Sequence, residues 1–91
     1  MREGLTALCL PFGYTTTWIV GYLETIQGDE YILKNARRIK SIGNDTPEDR
    51  IENGCTNEEL TKPADRFIHR LQVLQAIIPG KTWETLIKKP E

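Results

Sequence analysis

Two cysteines, one histidine and seven aromatic residues are all that this 91-residue chain offers of the side chains that most often carry chemistry. Cys9 sits in an apolar run and Cys55 in a polar loop. There is no CxxC and no second pair, which excludes a zinc ribbon and a disulfide framework and fits a reducing compartment. A lone His69 cannot hold a metal, no phosphate-cradling glycine loop occurs, and no serine or cysteine has a nucleophile's neighbours. Glu58 and Glu59 form an acid pair, but in a helix-capping context. No enzymatic activity and no cofactor are therefore expected. No apolar run approaches the roughly 20 residues of a membrane-spanning helix. Glu3 and the Pro11-Phe12-Gly13 break also interrupt what would be the apolar region of a secretory signal. The expectation is a cytoplasmic protein without a membrane partner.

A strong excess of basic charge is missing too, since the formal net charge is −1. The charge is unevenly spread. Residues 1–43 carry five basic and four acidic side chains, 44–65 two and seven, and 66–91 five and two. The middle is an acidic insert, which makes a general nucleic-acid binder the less favoured reading. A single domain, 1–91, is the expectation from length. It divides into a β-meander (1–43), the acidic helical insert (44–65), return strands (66–79) and a C-terminal helix (80–91).

What is present in quantity is β-forming sequence. Leu5 to Leu10 reads as a strand stopped by Pro11, which has no N–H for a ladder. Thr16 to Thr25 reads as the strongest strand, with Trp18, Val20 and Tyr22 on one face and Ile19, Gly21 and Leu23 on the other. Gly21 marks a kink or a close backbone approach. After Gln27-Gly28-Asp29, Glu30 to Lys34 pairs back, with a bulge at Asn35-Ala36 before Arg37 to Ile42.

Thr46, Pro47, Glu48 and Asp49 supply an N-cap, a first-turn proline and an acidic first turn, predicting a helix over 47–53. Thr56 and Glu59 have capping-box spacing for a further turn at 57–60. A return strand over Arg66 to Leu71 places Phe67, His69 and Leu71 on one face, leaves His69 half-buried, and runs on through Val73 to Ile78. Thr82 caps a last helix, Trp83 to Lys89, with Trp83, Leu86 and Ile87 on one side and Trp83 plugging an open end of the sheet.

These features together resemble a group of small uncharacterised proteins of phages and gut bacteria. The residues that carry the resemblance are Gly21-Tyr22-Leu23, Gly28 with Glu30, Leu33 with Asn35-Ala36-Arg37-Arg38-Ile39, Glu52 with Gly54, and Ile77-Ile78-Pro79. They span most of Trp18 to Pro79, while the N-terminal LTALCLPFGYTTT departs from the group. The resemblance implies a mainly β (α+β) fold, a small, strongly bent antiparallel sheet or SH3-like or Sm-like barrel, with no established activity.

Candidate sites follow from charge and aromatics. Arg37 and Arg38 point to opposite faces of a strand, so only one can join the surface of Lys34 or Lys40. They meet either an anion or the acids Asp45, Glu48, Asp49 and Glu52 of the insert. Tyr14, Trp18, Tyr22, Arg37, Arg38 and Arg70 are the candidate ligand-binding set, because aromatics beside arginine suit a nucleotide. The same aromatics suit a core equally.

Glu48, Asp49 and Glu52 are the candidate partner-binding set, an electronegative patch that imitates nucleic-acid charge. Ile68, Leu74, Ile77 and Ile78 exceed the needs of one small core and predict a homo-oligomer edge over residues 67–78. Given the phage resemblance, the expected role is non-enzymatic binding in the host cell cytoplasm. It takes the form of antagonism of host defence, either by sequestering a nucleotide signal or by blocking a host protein. The alternative is a structural or assembly adaptor of a phage particle or nucleoprotein complex.

Overall fold

The structure, a computed structural model, describes residues 4–40 and 46–90, with 25–27 as backbone only. Among these residues the chain forms strands β1 (Gly4–Phe12), β2 (Thr15–Gln27) and β3 (Glu30–Arg38), then helix α1 (Pro47–Asn53) and a 3-10 turn (Asn57–Glu59). Strand β4 (Ala64–His69), a second 3-10 turn (Arg70–Gln72), strand β5 (Gln75–Ile77) and helix α2 (Trp83–Leu86) complete it. The strands make one antiparallel sheet in the order β4-β3-β2-β1-β5, with no edge-to-edge closure.

Period-two alternation explains why both faces of this sheet are apolar. On one face Ala7, Cys9, Trp18, Val20 and Ile39 pack with Ile51 of α1, Leu60, and Trp83 and Ile87 of the C-terminal segment. The opposite cluster is built of strand residues: Leu8, Leu10, Ile19, Leu23, Tyr31, Leu33, Ala36 and Ile68, with Val73 and Ala76 against it. All five strands contribute to it and neither helix does. The sheet buries that face by bending over it.

Local devices produce the bend. A Cβ placed on Gly21 would lie 2.9 Å from both Cα and Cβ of Ala36, so β2 and β3 approach here at a distance only glycine allows. The β2–β3 register shifts between Val20 and Tyr22, and again between Leu23 and Thr25. Asn35 adopts φ 53° at the bulge where the β3–β4 register also shifts.

The first strand does not stop at Pro11. It runs to Phe12 with Pro11 opposite Thr16, because β5 covers β1 only from Ala7 to Cys9 and leaves the other side of Pro11 without a strand to answer. The return segment is not continuous either, since the 3-10 turn at Arg70–Gln72 carries the chain from β4 to β5. Its faces are also the reverse of the expectation: Phe67, His69 and Leu71 are exposed, and Ile68 is buried opposite Tyr31. Ile68 is therefore core and not an oligomer edge, and Ile77 is half-buried against the helix-side cluster. Leu74 and Ile78 are exposed. The stretch Arg37 to Ile42 is strand only to Arg38, with a single bridge from Ile39 to Leu60; Ser41 to Asp45 lie outside the described residues.

α1 spans the expected residues, its N-cap Thr46 accepting from the Asp49 N–H at 3.2 Å. α2 is one turn, Trp83–Leu86, and Thr82 makes no side-chain cap. Trp83 is fully buried and its Nε1 donates to the Arg50 carbonyl at 3.0 Å, so it ties the tail to α1 across the sheet face instead of plugging an end. Gly80 sits against the Glu52 carbonyl where any Cβ would overlap it, and its N–H donates to Ile51 at 2.9 Å.

Candidate functional site

Where β1 turns into β2, the hairpin tip stands beside the end of β3 and the start of α1, and a groove of about 280 Å³ opens between them. Its position follows from the register: Phe12 faces Thr15, Ile19 faces Arg38, and the Ile39 N–H donates to the Trp18 carbonyl at 2.9 Å. Arg38 and Lys40 are two apart on an extended chain, so both side chains fall on the groove side while Ile39 turns into the core. The Arg38 guanidinium lies over the Phe12 ring, 4.9 Å from its centroid. Thr15, Thr16 and Thr17 form the β2 wall, and Trp18, itself buried, closes the floor. Phe12 is 54% exposed, which leaves ring surface open beside two cations.

The six expected ligand residues do not gather at one place. Trp18 and Arg38 line the groove. Tyr14 stands fully exposed on the adjoining turn. Tyr22 is half-buried against the helix-side cluster. Arg70 is near Asp29, 3.6 Å away, at the opposite end of β3.

Arg37 has a different role. Its Nε donates to the Thr61 carbonyl at 2.9 Å, and its Nη1 donates to Asn57 Oδ1 at 3.0 Å and to the Leu86 carbonyl at 3.2 Å. It ties β3, the 57–61 segment and α2 together through neutral acceptors rather than through the carboxylates Glu48, Asp49 and Glu52. Those three acids are exposed on α1. Asp45 lies outside the described residues.

Phe12, Lys40 and the three threonines were not in the expected set. The two-residue spacing of Arg38 and Lys40 signals their common face, whereas the approach of Phe12 to Arg38 depends on the hairpin's return and has no local signature.

Two other charged clusters each hold an ion pair. Arg50 pairs with Glu59 at 2.8 Å, both side chains largely buried. Glu59 also accepts from the Thr56 N–H at 2.9 Å, and that backbone bond chiefly lowers its pKa, with Thr56 Oγ1 and Arg50 adding to it. Burial first, and then Glu59, raise the pKa of the nearby Cys55 thiol, which keeps it from being an activated nucleophile.

A wider depression of about 460 Å³ is lined by Lys34, Lys88, Lys89, Asp65, Glu24 and Asn35. There Asp65 accepts from the Asn35 N–H at 3.1 Å, the main cause of its lowered pKa, and from Lys34 Nζ at 3.3 Å. Of the lysines in that depression, Lys34 is answered by a carboxylate, that of Asp65.

Among the described residues no three His, Cys, Asp or Glu side chains are gathered as a metal site requires, and no helix is long and apolar enough to cross a membrane. Comparison with protein-family models, with curated proteins and with solved structures finds no match.

Proposed function

We propose that this chain is a non-enzymatic, phage-type binding protein that holds a nucleotide-class anion in the groove between the β1–β2 hairpin and the end of β3. One observation carries the reading: the Arg38 guanidinium over the Phe12 ring, beside Lys40 and the Thr15–Thr17 wall. A guanidinium fork and an ammonium answer phosphate oxygens, threonine hydroxyls add donors, and an exposed aromatic ring accepts a base by stacking. The ligand part of the proposal rests on this groove. The host-defence part, sequestration of a nucleotide signal, rests on the resemblance to the phage group.

We read the sheet as the open form of an SH3-like or Sm-like barrel. Supporting this, β5 returns to the free side of β1 after a single 3-10 turn from β4, so the first and last strands pair while the meander runs between them.

Native mass spectrometry of the protein purified from cells tests the ligand directly. The expected spectrum shows retained mass that denaturation releases as a phosphorylated nucleotide, absent from Arg38→Ala. A wild-type spectrum without retained mass, joined to a failure of added mononucleotides to bind, overturns the reading. The blocking alternative makes the opposite demand, since neutralising Glu48, Asp49 and Glu52 would then abolish action and Arg38→Ala would spare it.

A further inference from the structure

β4 ends the strand order, so among the described residues one of its two edges has no neighbour in the sheet. The direction of that edge can be read from the backbone. The Arg70 N–H donates to the Asp29 carbonyl at 2.6 Å, on the β3 side, with His69 opposite Glu30. Peptide groups alternate along an antiparallel strand, so those of His69, Phe67 and Asp65 turn away from β3 to the open edge. The side chains of the same three residues are exposed, Phe67 to 66%. No proline lies between Asp65 and His69, and from Arg66 to His69 the pairing with β3 runs without a register shift, so that nothing there protects this edge from another strand.

The three side chains are self-complementary about Phe67. In an antiparallel pairing centred on that residue, Phe67 meets Phe67 of a second copy, and Asp65 meets His69. His69 Nδ1 accepts the Leu71 N–H at 3.1 Å, so in the neutral imidazole the proton sits on Nε2, free to be donated outward. Asp65 keeps acceptor capacity beyond Asn35 and Lys34, its side chain being 49% exposed. The adjacent cation, Arg70, lies near Asp29, which moderates like-charge repulsion across a two-fold axis. Leu71, exposed to 81%, continues the apolar surface on the following turn.

We propose that two copies of this chain join antiparallel through β4, about a two-fold axis at Phe67, into one continuous sheet. This refines the expected oligomer edge, in which Ile68 is buried and Phe67 takes its place, and it is independent of the groove.

Sedimentation velocity at tens of micromolar tests it. Wild type sediments at twice the chain mass. Phe67→Lys, which sets like charges against each other at the axis, sediments at the single mass with unchanged far-ultraviolet circular dichroism. As a second measure that does not depend on that variant folding, mild oxidation of Phe67→Cys gives a disulfide-linked dimer, while Ile78→Cys and wild type do not. A wild-type monomer, a Phe67→Lys protein that stays dimeric, or cross-linking of Ile78→Cys equal to that of Phe67→Cys overturns the proposal. A strand-adding peptide partner would be the reading left by the first of these outcomes.

Discussion

Arg37 and Arg38 are adjacent in sequence, yet the pleat separates them completely: one makes three hydrogen bonds within the fold and the other faces the groove. Arg37→Lys keeps the charge and loses the planar fork, so most of those bonds go with it. Destabilisation of about 1–3 kcal/mol is expected, read from the denaturant midpoint, with nucleotide binding unchanged in the folded protein.

Two carboxylates make the stability depend on pH. Glu59 and Asp65 both have pKa values lowered in the folded state, chiefly by backbone N–H donors, those of Thr56 and Asn35 respectively. A lowered folded-state pKa means that the unfolded chain takes up protons first. The stabilisation is therefore present above the ordinary carboxylate value of about 4 and is lost as pH falls through the lower folded values. Thermal melts should show a decline in the melting temperature below that point, flattened in the double variant Glu59→Gln and Asp65→Asn. An unaltered acid limb in that variant would place the dependence elsewhere.

Among the elements, those with local signals were legible in the sequence and those whose placement needs the whole sheet were not. The Thr46-Pro47 start fixes α1 at Pro47–Asn53, and Thr56 with Glu59 makes the capping box. Both depend on side chains reaching backbone groups within a few residues. In the return segment two interleaved sets of residues compete for the core, and alternation alone cannot rank Phe67 against Ile68. Pairing decides, since Tyr31 of the inner face stands opposite Ile68.

The groove has the same origin. Its lining comes from residues 12, 15–18, 38–40 and 47, which only the hairpin and the crossing of β3 bring together. The bend at Gly21 was legible, because an interior strand glycine marks a close approach. Gly21→Ala sets a methyl against Ala36 and is expected to cost about 1–3 kcal/mol, measured by denaturant unfolding. A neutral result would mean that the two strands separate there without loss.

At the scale of the molecule, the Cα radius of gyration, 12.1 Å, matches the roughly 12 Å of a compact chain of this length. One sheet therefore serves two cores. The helix-side face is covered by α1 and the tail, and the other is covered by curvature. This arrangement leaves two exposed features at opposite ends of β3: the groove beside Arg38 and the open edge of β4 near Glu30. The proposed ligand binding and the proposed pairing of copies can then be separated by mutation, with Arg38→Ala expected to spare the pairing and Phe67→Lys to spare the groove.

The binding claim itself is tested most directly by calorimetric titration of wild type and Arg38→Ala with a nucleoside monophosphate, with the nucleoside and inorganic phosphate as controls. Loss of a charge-assisted bond of about 1.5–3 kcal/mol predicts affinity for the monophosphate at least about tenfold weaker in Arg38→Ala, and weaker again in both proteins as salt rises. Equal affinity in the two proteins, or no heat from wild type with any of the three ligands, would contradict it.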